Sequence, residues 1–357
     1  MNQILCLSST PWGTVPTRTQ QLMTRMRGAQ VLFFEPPGRA FRQPGRQVRP
    51  GLTVYTLPPV WEAEERHRLL FQRHYRKLAA FVLRQMERQR FREPLVWCTC
   101  PEQVHLVEHI PHRGLVYDCD RDWLDFSPRW ESDLALAADV VFAASPGLAD
   151  HLAPCNDNIA LLYNGVNHPM FTRPPVQCPP ELRDCTGPVL GFTGTLWEDL
   201  DLRPVLQAAR AMPEWTFVFL GRREYNPALP QLERLDNVRL LGRRPPVEVP
   251  DYLDRFDVCL HLLRSSERGN DVIPSRIYEY LSSGKPIVAM FFPDQVEHFP
   301  DVIYGAHSPQ EFLQLCRRAL AETGGWARDR RRAHGAAAAW SERAAQVERI
   351  LAAIGLY

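Results

Sequence analysis

The 357-residue sequence lacks long hydrophobic runs, and no segment reaches the roughly 20 apolar residues that span a bilayer. It also lacks a Cys-x-x-Cys pair, so its nine cysteines do not predict a zinc site, and a reducing cytoplasm is their simplest setting. The residues after Met1 form a short strand-like run that is not typical of a signal peptide. We therefore expect a cytoplasmic protein.

Several catalytic motifs are absent as well. The sequence contains no G-x-G-x-x-G and no G-x-x-x-x-G-K-[ST], which argues against a dehydrogenase and a P-loop NTPase. It contains neither the G-x-S-x-G of α/β-hydrolases nor the H-E-x-x-H of zinc proteases. Any catalytic chemistry must therefore rest on other residues.

Net charge is small only in sum. The chain has 42 Lys plus Arg against 41 Asp plus Glu, which argues against a strongly basic nucleic-acid binder. Residues 1–100 carry 16 basic and six acidic side chains, however, whereas residues 101–357 carry 26 basic and 35 acidic ones. The basic first part suits an anionic partner such as a membrane surface or a phosphate-rich acceptor.

Apolar runs of strand length alternate with helix-length segments along the chain, which predicts a doubly wound α/β fold with parallel sheets. Six prolines between 169 and 188 interrupt the alternation and predict a stiff linker. Helices are predicted near Thr19–Arg27, 62–92, 101–109 and 309–354. The predicted strands are Gln3–Ser8, Val31–Glu35, Leu52–Leu57, Leu95–Cys98, Gly114–Tyr117, Val140–Ala144, Ile159–Tyr163, Val189–Phe192, Phe217–Leu220, Val238–Leu241, Val258–Leu262 and Pro286–Met290.

The most informative segment is Asn270–Val288. Pro274 suits the first turn of a helix, where its missing N–H costs nothing, and Gly284 suits the end of that helix. The free backbone N–H groups near Ser275 and Arg276 would then form an anion site, reinforced by the charge of Arg276.

Two carboxylates flank this helix start, Asp271 before it and Glu279 eight residues later. On spacing alone, a purely structural interpretation explains the pattern as well as a functional one does. In that interpretation Asp271 is an acid stabilised by the helix dipole, and Arg276 and Glu279 form a surface ion pair. The pattern of a carboxylate, seven residues and Glu, followed by Gly-Lys-Pro-Ile-Val, resembles the GT-B glycosyltransferases, in particular glycosyltransferase family 4. In that family this segment holds the nucleotide-sugar donor.

Further motifs extend the resemblance over most of the chain in the family's order: Asn164-Gly-Val-Asn, Gly191-Phe-Thr-Gly194, Phe219-Leu-Gly221 and Trp340-Ser-Glu-Arg. The resemblance implies a GT-B architecture, in which two Rossmann-like domains face each other across a cleft and the last helix crosses back to the first domain. The predicted parts are an acceptor-side domain 1–170, a linker 171–188, a nucleotide-sugar-binding domain 189–335 and a final helix 336–357.

The resemblance also implies roles for the residues of the donor segment. Glu279 would bind the donor ribose and Asp271 the transferred sugar, which makes Asp271 a candidate catalytic residue. The donor diphosphate would lie on the backbone of Ile273, Pro274, Ser275 and Arg276.

Gly194 and Thr195 would open the second domain on the donor side. Family members commonly carry an Arg and a Lys just after this glycine, but here the sequence continues Thr-Leu-Trp-Glu-Asp-Leu-Asp, without either base. Arg222 and Arg223, or Arg276, could supply the missing positive charge. A non-catalytic member of the family is the competing interpretation.

Asp118, Asp120 and Asp122 follow a predicted strand on alternate residues. In an extended loop they would share one side, which fits a divalent-metal site or the metal-binding DxD of the GT-A fold. The surrounding residues look instead like GT-B members that act without metal. We expect a metal-free role in which these acids, with Asp118 and Asp122 as candidate catalytic residues, orient the acceptor or the sugar. Solvated acids that cap the following helix are the plain alternative.

The loop after the first strand resembles the glycine-bearing first loop of the fold, so Gly13 would approach the donor phosphates and Arg18 could reach a phosphate or the acceptor. Asn164 is expected on the acceptor side. The basic, leucine-rich helix at 62–92 could lie on an anionic membrane at the inner face, although a solvated domain surface is the default interpretation.

These features predict an enzyme that transfers a sugar from a nucleotide-diphosphate sugar to a glycan or lipid-linked acceptor in cell-surface polysaccharide synthesis. The resemblance implies retention of anomeric configuration, with neither metal nor cofactor, and no nucleic-acid partner is expected. The alternatives are a nucleotide-sugar epimerase or phosphorylase on the same fold, or a non-catalytic nucleotide-sugar-binding partner in a glycan-synthesis complex.

Overall fold

A computed structural model describes residues 2–38, 45–59, 67–263, 271–290 and 298–357. The chain forms two compact units: unit 1 comprises residues 1–163 and 341–357, and unit 2 comprises residues 164–340. Each unit is built on its own mainly parallel sheet. The predicted doubly wound fold and the return of the C-terminal helix to the first unit are confirmed.

Unit 1 contains an eight-stranded sheet with the order β3-β4-β2-β1-β5-β6-β7-β8, in which only β3 runs antiparallel to its neighbour. The strands are β1 Asn2–Leu7, β2 Ala29–Glu35, β3 Arg46–Arg49, β4 Leu52–Thr56, β5 Leu95–Cys98, β6 Gly114–Cys119, β7 Val140–Ala143 and β8 Ile159–Leu161. The helices before residue 163 are α1 Arg18–Met23, α2 Arg68–Arg88, α3 Val104–Val107, α4 Pro128–Ala137 and α5 Pro146–Leu152.

Unit 2 contains a six-stranded sheet with the order β11-β10-β9-β12-β13-β14, and every strand pair is parallel. The strands are β9 Val189–Thr193, β10 Thr216–Leu220, β11 Val238–Gly242, β12 Val258–His261, β13 Ile287–Met290 and β14 Ile303–Ala306. The helices are α6 His168–Thr172, α7 Arg203–Ala211, α8 Leu229–Leu232, α9 Val249–Arg255, α10 Ser275–Ser283, α11 Pro309–Leu320, α12 Trp326–Ala337 and α13 Trp340–Ala353, the last of which passes into unit 1.

The strand order places one loop of each unit where a ligand of such a sheet binds. β1 lies between β2 and β5, and β9 lies between β10 and β12, so the strand order reverses at β1 and at β9. Ligands of doubly wound sheets bind beyond the carboxyl ends of the strands at this reversal. We therefore expect a ligand site near the residues that follow β1 and β9.

Buried apolar side chains explain why these strands form. Ile4, Leu5 and Cys6 of β1 are fully buried, as are Leu190 and Phe192 of β9. Central parallel strands are covered on both faces, so their sequences are apolar throughout rather than alternating. All twelve predicted strands are present, with ends that differ by at most two residues.

The structure also differs from the sequence-based expectations. The strands β3 and β14 were not predicted. α2 begins at Arg68, while the residues at 62–66 of the predicted helix lie outside the described ranges. Helix α3 covers only part of 101–109, after a 3₁₀ turn at Pro101–Gln103.

The proline-rich segment 171–188, predicted as a stiff linker, lies within unit 2. Arg173 forms an ion pair of 2.9 Å with Asp251 of α9, and Leu182 is fully buried. The segment is therefore ordered by contacts as well as by its prolines. The compact units divide at 163 and 340. The predicted domain bounds at 170, 188 and 335 stay a prediction.

Candidate functional site

The start of α10 leaves backbone donors available. Pro274 lies just before the helix with extended backbone (φ −70°, ψ 147°), one residue earlier than the predicted first-turn position, and it has no N–H. The N–H of Ile277 donates to the Pro274 carbonyl at 3.0 Å, whereas those of Ser275 and Arg276 have no hydrogen-bond partner among the described residues. Gly284 ends the helix in the left-handed conformation (φ 78°), as predicted. Two N–H groups and the helix dipole thus favour an anion here.

Arg276 brings a guanidinium to the end of β9. Its Nη1 donates to the carbonyl of Thr193 at 3.2 Å, and its Cζ lies 4.8 Å from the ring centroid of Phe192. Gly194 makes room for this side chain, because a Cβ at Gly194 would lie 2.7 Å from Arg276 Nη1. Gly194 also has φ +135°, which disfavours any other residue. The loop after β9 and the start of α10 therefore meet around the half-buried guanidinium of Arg276.

Glu279 lies on α10, one turn beyond these N–H groups. It is half-buried and forms neither a hydrogen bond nor an ion pair with any described residue, so the surface pair with Arg276 is not present. Desolvation raises the pKa of Glu279 to about 7, and the charge of Arg276 opposes that rise. A carboxylate with free acceptor oxygens is suited to accept hydrogen bonds from ligand hydroxyls.

Tyr280 is a structural member of this site that the sequence analysis did not single out. Its hydroxyl accepts a hydrogen bond from the Thr193 N–H at 2.8 Å and lies 3.1 Å from Thr193 Oγ1, and its side chain is fully buried. Burial raises the pKa of this hydroxyl, so it remains neutral. Tyr280 therefore ties α10 to the last residue of β9. The sequence offered only its position next to Glu279 as a signal.

The other two arginines considered for the site bind acids. Arg222 forms an ion pair with Glu224, and Arg223 forms one of 2.7 Å with Glu233. Both arginine side chains are largely exposed. Of the three candidates, Arg276 is therefore the cation that the structure places directly against Gly194.

The acidic segment 195–201 after Gly194 contains one buried acid, Asp201, which is paired with Arg203. Thr195 is half-buried, and Leu196 forms a parallel bridge to Arg223. Asp201 is buried and accepts hydrogen bonds from Arg203 at 2.8 and 2.7 Å. The buried acid of this segment is therefore neutralised locally.

Asn164 is the first residue of unit 2, and its expected place on the acceptor side stays a prediction. Its Nδ2 donates to the carbonyl of Ile273 at 3.0 Å. Ile273 is buried, and Asp271, two residues before it, is half-buried. Asn164 thus supports the backbone that leads into α10.

In unit 1, Arg18 and Asp118 form a buried ion pair. Arg18 is the first residue of α1, which is held by a capping box of Thr17 and Gln20. Its Nε and Nη2 donate to Asp118 Oδ1 at 3.0 and 2.8 Å, and both side chains are almost fully buried. The guanidinium of Arg18 is therefore directed at Asp118, where the loop after β1 meets the end of β6.

The three alternating acids after β6 differ in exposure. Asp118 is buried, Asp120 is half-buried and Asp122 is exposed, so they do not present one shared face. Burial and the neighbouring charge of Asp118 raise the pKa of Asp120. Within the described ranges, no group of three or more His, Cys, Asp or Glu side chains is arranged to hold a metal ion.

Two Rossmann-like units, each with its strand-order reversal at a glycine-bearing loop, define a GT-B protein. Solved structures share this fold over almost the full length. Sucrose-phosphate synthase from Thermosynechococcus elongatus is 14% identical with a TM-score of 0.72, covering 99% of each chain. Anabaena HepE in complex with UDP and glucose is 18% identical with a TM-score of 0.71, covering 99% of this chain and 100% of that one.

The family match lies in unit 2, where residues 187–322 match the model described as Glycosyl transferases group 1. A Bacillus subtilis (strain 168) protein named "Putative teichuronic acid biosynthesis glycosyltransferase TuaH" is 30% identical over 176 residues. That alignment covers 47% of this chain and 44% of the relative, so less than half of the relative's length is matched. Among the described helices, none has the length and apolar content that crossing a membrane requires.

Proposed function

We propose that the chain is a glycosyltransferase that moves a sugar from a nucleotide-diphosphate-sugar donor to a glycan or lipid-linked acceptor in cell-surface polysaccharide synthesis. The carrying observation is the start of α10, where two N–H groups, Arg276 and Glu279 lie together within the segment that matches the family model. The UDP and glucose bound to HepE support the donor class. The name of TuaH supports the process.

In this proposal the donor lies along the start of α10. Its diphosphate binds the backbone from Ile273 to Ser275 and faces Arg276, its ribose binds Glu279, and the transferred sugar binds Asp271. Departure of the diphosphate concentrates negative charge, which preoriented N–H groups and a guanidinium stabilise more in the transition state than in the bound donor.

Unit 1 supplies the acceptor side. Asp118, Asp120 and Asp122 orient the acceptor or the sugar, and Arg18 holds Asp118 in place. The departing diphosphate takes the acceptor proton and the anomeric configuration is retained. Neither a metal nor a cofactor takes part.

A donor screen by thermal shift tests the proposal. A ligand that binds only the folded state stabilises it by about 2.7 kcal/mol at 100 times its Kd, which is a rise of several degrees in Tm. We expect the sugars of one nucleotide, UDP, GDP or dTDP, to raise Tm. Free sugars should leave Tm unchanged. If no nucleotide sugar raises Tm at millimolar concentration, the proposal is wrong.

The acidic segment after Gly194 favours one alternative, a non-catalytic nucleotide-sugar-binding partner in a glycan-synthesis complex. Such a protein would give the thermal shift without transfer or donor hydrolysis. An epimerase would convert the donor without any acceptor, and a phosphorylase would need inorganic phosphate. These cases are separated by analysing the products formed from each nucleotide sugar that raises Tm.

Substitution of Gly13 tests the predicted approach of donor phosphates to the loop after β1. A Cβ at Gly13 would have its nearest neighbours at 3.8 Å, so neither space nor backbone strain within unit 1 requires glycine. We expect Gly13→Ala to leave Tm within about 1 °C of wild type, since it changes no buried contact. The KM for the donor should rise about tenfold or more, because a small displacement of a reacting ligand is costly. Unchanged steady-state kinetics would remove Gly13 from the donor site.

Helix α2 carries the proposed membrane contact. One face packs into unit 1 through Tyr75, Leu78 and Val82, whereas Leu69 and Leu70 are 82% and 59% exposed. A surface groove of about 380 Å³ adjoins them, lined by Leu69, Gln72, Arg73, Arg76, Lys77 and Ala80. Exposed leucines beside clustered cations suit an anionic bilayer surface, where each cation contributes about 1 kcal/mol. We therefore propose a cytoplasmic protein that binds peripherally to the inner face of the membrane.

Vesicle co-sedimentation tests this contact. The protein should bind vesicles containing anionic phosphatidylglycerol, bind neutral phosphatidylcholine weakly, and dissociate as salt rises. Substituting Arg73, Arg76 and Lys77 together with Gln should lower binding about 100-fold on that scale. The matched control replaces three exposed cations of unit 2, namely Arg210, Arg317 and Arg318. Equal loss in both variants, or binding without anionic lipid, would contradict the contact.

A further inference from the structure

In unit 1, the loop between β1 and α1 has an exposed tip, residues 13–16. None of these residues forms a hydrogen bond with any described residue. A Cβ at Gly13 would lie within 4 Å only of backbone atoms of Pro11 and Val15, which belong to the same loop. A segment with so few contacts is held mainly by the residues on either side of it. The position of the tip therefore depends on how its two ends are anchored.

Glu35, the last residue of β2, anchors the first end. The backbone N–H of Trp12 donates to Glu35 Oε2 at 2.7 Å, which is at the short end of the range for such hydrogen bonds. The ring of Trp12 also lies edge-on to Phe33 of β2, with 4.9 Å between the centroids. Trp12 is thus attached to β2 both by its backbone and by its side chain.

The carboxylate of Glu35 is itself held in one orientation. In the sheet, Glu35 pairs with Thr56 of β4, whose hydroxyl donates to Glu35 Oε1 at 2.5 Å. The backbone carbonyl of Glu35 accepts from the N–H of Leu57 at 3.0 Å. A side chain on a strand, fixed by a second hydrogen bond, positions its partner more precisely than one on a loop. One oxygen of Glu35 therefore fixes the carboxylate, and the other fixes Trp12.

The second end of the tip is anchored without Glu35. Thr17 begins α1 with a capping box, and Arg18 forms the buried ion pair with Asp118. These contacts belong to α1 and β6, whereas those of Trp12 belong to β2. Loss of the contact between Glu35 and Trp12 would therefore release one end of the tip while the other end stays in place.

We propose that Glu35 is a positioning residue for the donor: it fixes Trp12 and thereby places the next residue, Gly13, where the donor phosphates approach. The inference rests on the proposed function and adds to it a residue of β2 that acts without touching the ligand. The partners of Glu35 are a backbone N–H and a hydroxyl, so the side chain supplies reach and an acceptor oxygen rather than charge. A neutral acceptor of the same length should therefore replace it, and a shorter carboxylate should not.

Donor kinetics of two variants separate length from charge. Glu35→Gln keeps the length and an acceptor oxygen but loses the charge, so the KM for the donor should stay within about threefold of wild type. Glu35→Asp keeps the charge but is one methylene shorter, so the donor KM should rise about tenfold, as for Gly13→Ala, with a smaller change in kcat. When Glu35→Asp and Gly13→Ala are combined, their effects on KM should not multiply, because both act through the same loop.

Hydrogen exchange of the Trp12 amide tests the same contact without any donor. Exchange should be at least about tenfold faster in Glu35→Asp than in wild type, and close to wild type in Glu35→Gln. The matched control is Asp257→Ala, which removes an exposed carboxylate of unit 2 that accepts from the Val189 N–H at 2.8 Å. This control should change neither the exchange of Trp12 nor the donor KM.

The outcomes distinguish this inference from the proposed function. A protein that binds no nucleotide sugar, but in which Trp12 exchange follows the expected order, would overturn the proposed function and leave the anchoring of Trp12 by Glu35 standing. If the donor binds and Glu35→Gln raises KM as much as Glu35→Asp, the carboxylate contacts the ligand directly and the positioning role is wrong. That role is also wrong if Glu35→Asp leaves Trp12 exchange or donor KM unchanged, or if its effect multiplies with that of Gly13→Ala.

Discussion

A Glu279→Ala variant is expected to lose the thermal stabilisation that the nucleotide-sugar donor gives the wild type. Glu279 is half-buried and forms no hydrogen bond or ion pair with the described residues, so in the proposal its oxygens accept from the two ribose hydroxyls. Hydrogen bonds to a charged group contribute about 1.5–3 kcal/mol each. Losing two of them should weaken Kd more than about 100-fold, which removes the shift at tenfold excess over the wild-type Kd.

The measurement is best made at pH 8. Desolvation raises the pKa of Glu279 to about 7, so in the unliganded protein the carboxyl is mostly protonated at pH 6 and mostly ionised at pH 8. The ribose hydroxyls donate to the ionised form, so wild-type donor affinity should rise as pH increases through about 7 and fall below it. Calorimetry at the two pH values would show this change, and the variant should not.

The matched control for Glu279 is Glu214→Ala, which removes an exposed glutamate of unit 2 from the loop before β10. It should keep the full thermal shift. A shift that persists in Glu279→Ala at pH 8, with a normal melting transition in the absence of donor, would break the assignment of the donor site.

An Arg276→Met variant is expected to retain the fold and to lose about 10²–10³-fold in kcat, the usual cost of removing one preorganised group that stabilises developing negative charge. Methionine keeps an unbranched apolar side chain at this position, while it removes the guanidinium that lies over the ring of Phe192. Arg276→Lys should recover only part of the rate, because lysine has a single charged tip in place of the planar fork. Steady-state kinetics with the donor found in the screen provide the measurement.

The comparison with Arg222 and Arg223 decides which cation neutralises the diphosphate. Both are exposed and paired with Glu224 and Glu233, so their Met variants should stay within about threefold of wild type, as surface ion pairs contribute little. If Arg222→Met or Arg223→Met costs as much as Arg276→Met, the charge is shared. If only the former two matter, the role given to Arg276 is wrong.

The fold was accessible from the sequence because central parallel strands are buried on both faces and read as short apolar runs. The strands β3 and β14 were not predicted, because they lack the uninterrupted apolar run of a central strand. β3, Arg-Gln-Val-Arg, lies at the sheet edge with polar side chains, and β14, Ile-Tyr-Gly-Ala, is short and contains glycine. Edge strands need fewer apolar residues, so periodicity identifies them poorly.

Only those parts of the candidate site that a local sequence pattern marks could be predicted from the sequence. The carboxylate pair and Gly284 mark α10 in the sequence, and the structure has the helix between them. The approach of Arg276 to Gly194 depends on how α10 packs on β9 across more than 80 residues of chain, which no spacing reveals. The same holds for Asn164, whose hydrogen bond to the Ile273 carbonyl joins residues that are 109 positions apart in the chain.

The acidic segment after Gly194 shows how tertiary packing changes a sequence argument. Read along the chain, the loss of both expected bases indicates a weakened diphosphate site. In the structure, Asp201 is neutralised by Arg203, and Arg276 reaches Gly194 from another element. The positive charge is therefore present at the loop after β9, although it comes from α10.

The most direct test of the central claim is a time course of donor consumption followed by ³¹P NMR. The nucleotide sugar that gives the largest thermal shift is incubated with the full chain, with and without a lipid extract that contains glycan carriers. We expect nucleoside diphosphate to be released only when acceptor is present, together with a glycosylated product and with no effect of EDTA. A donor that stays intact with every acceptor, or that is converted to its epimer without any acceptor, would contradict it.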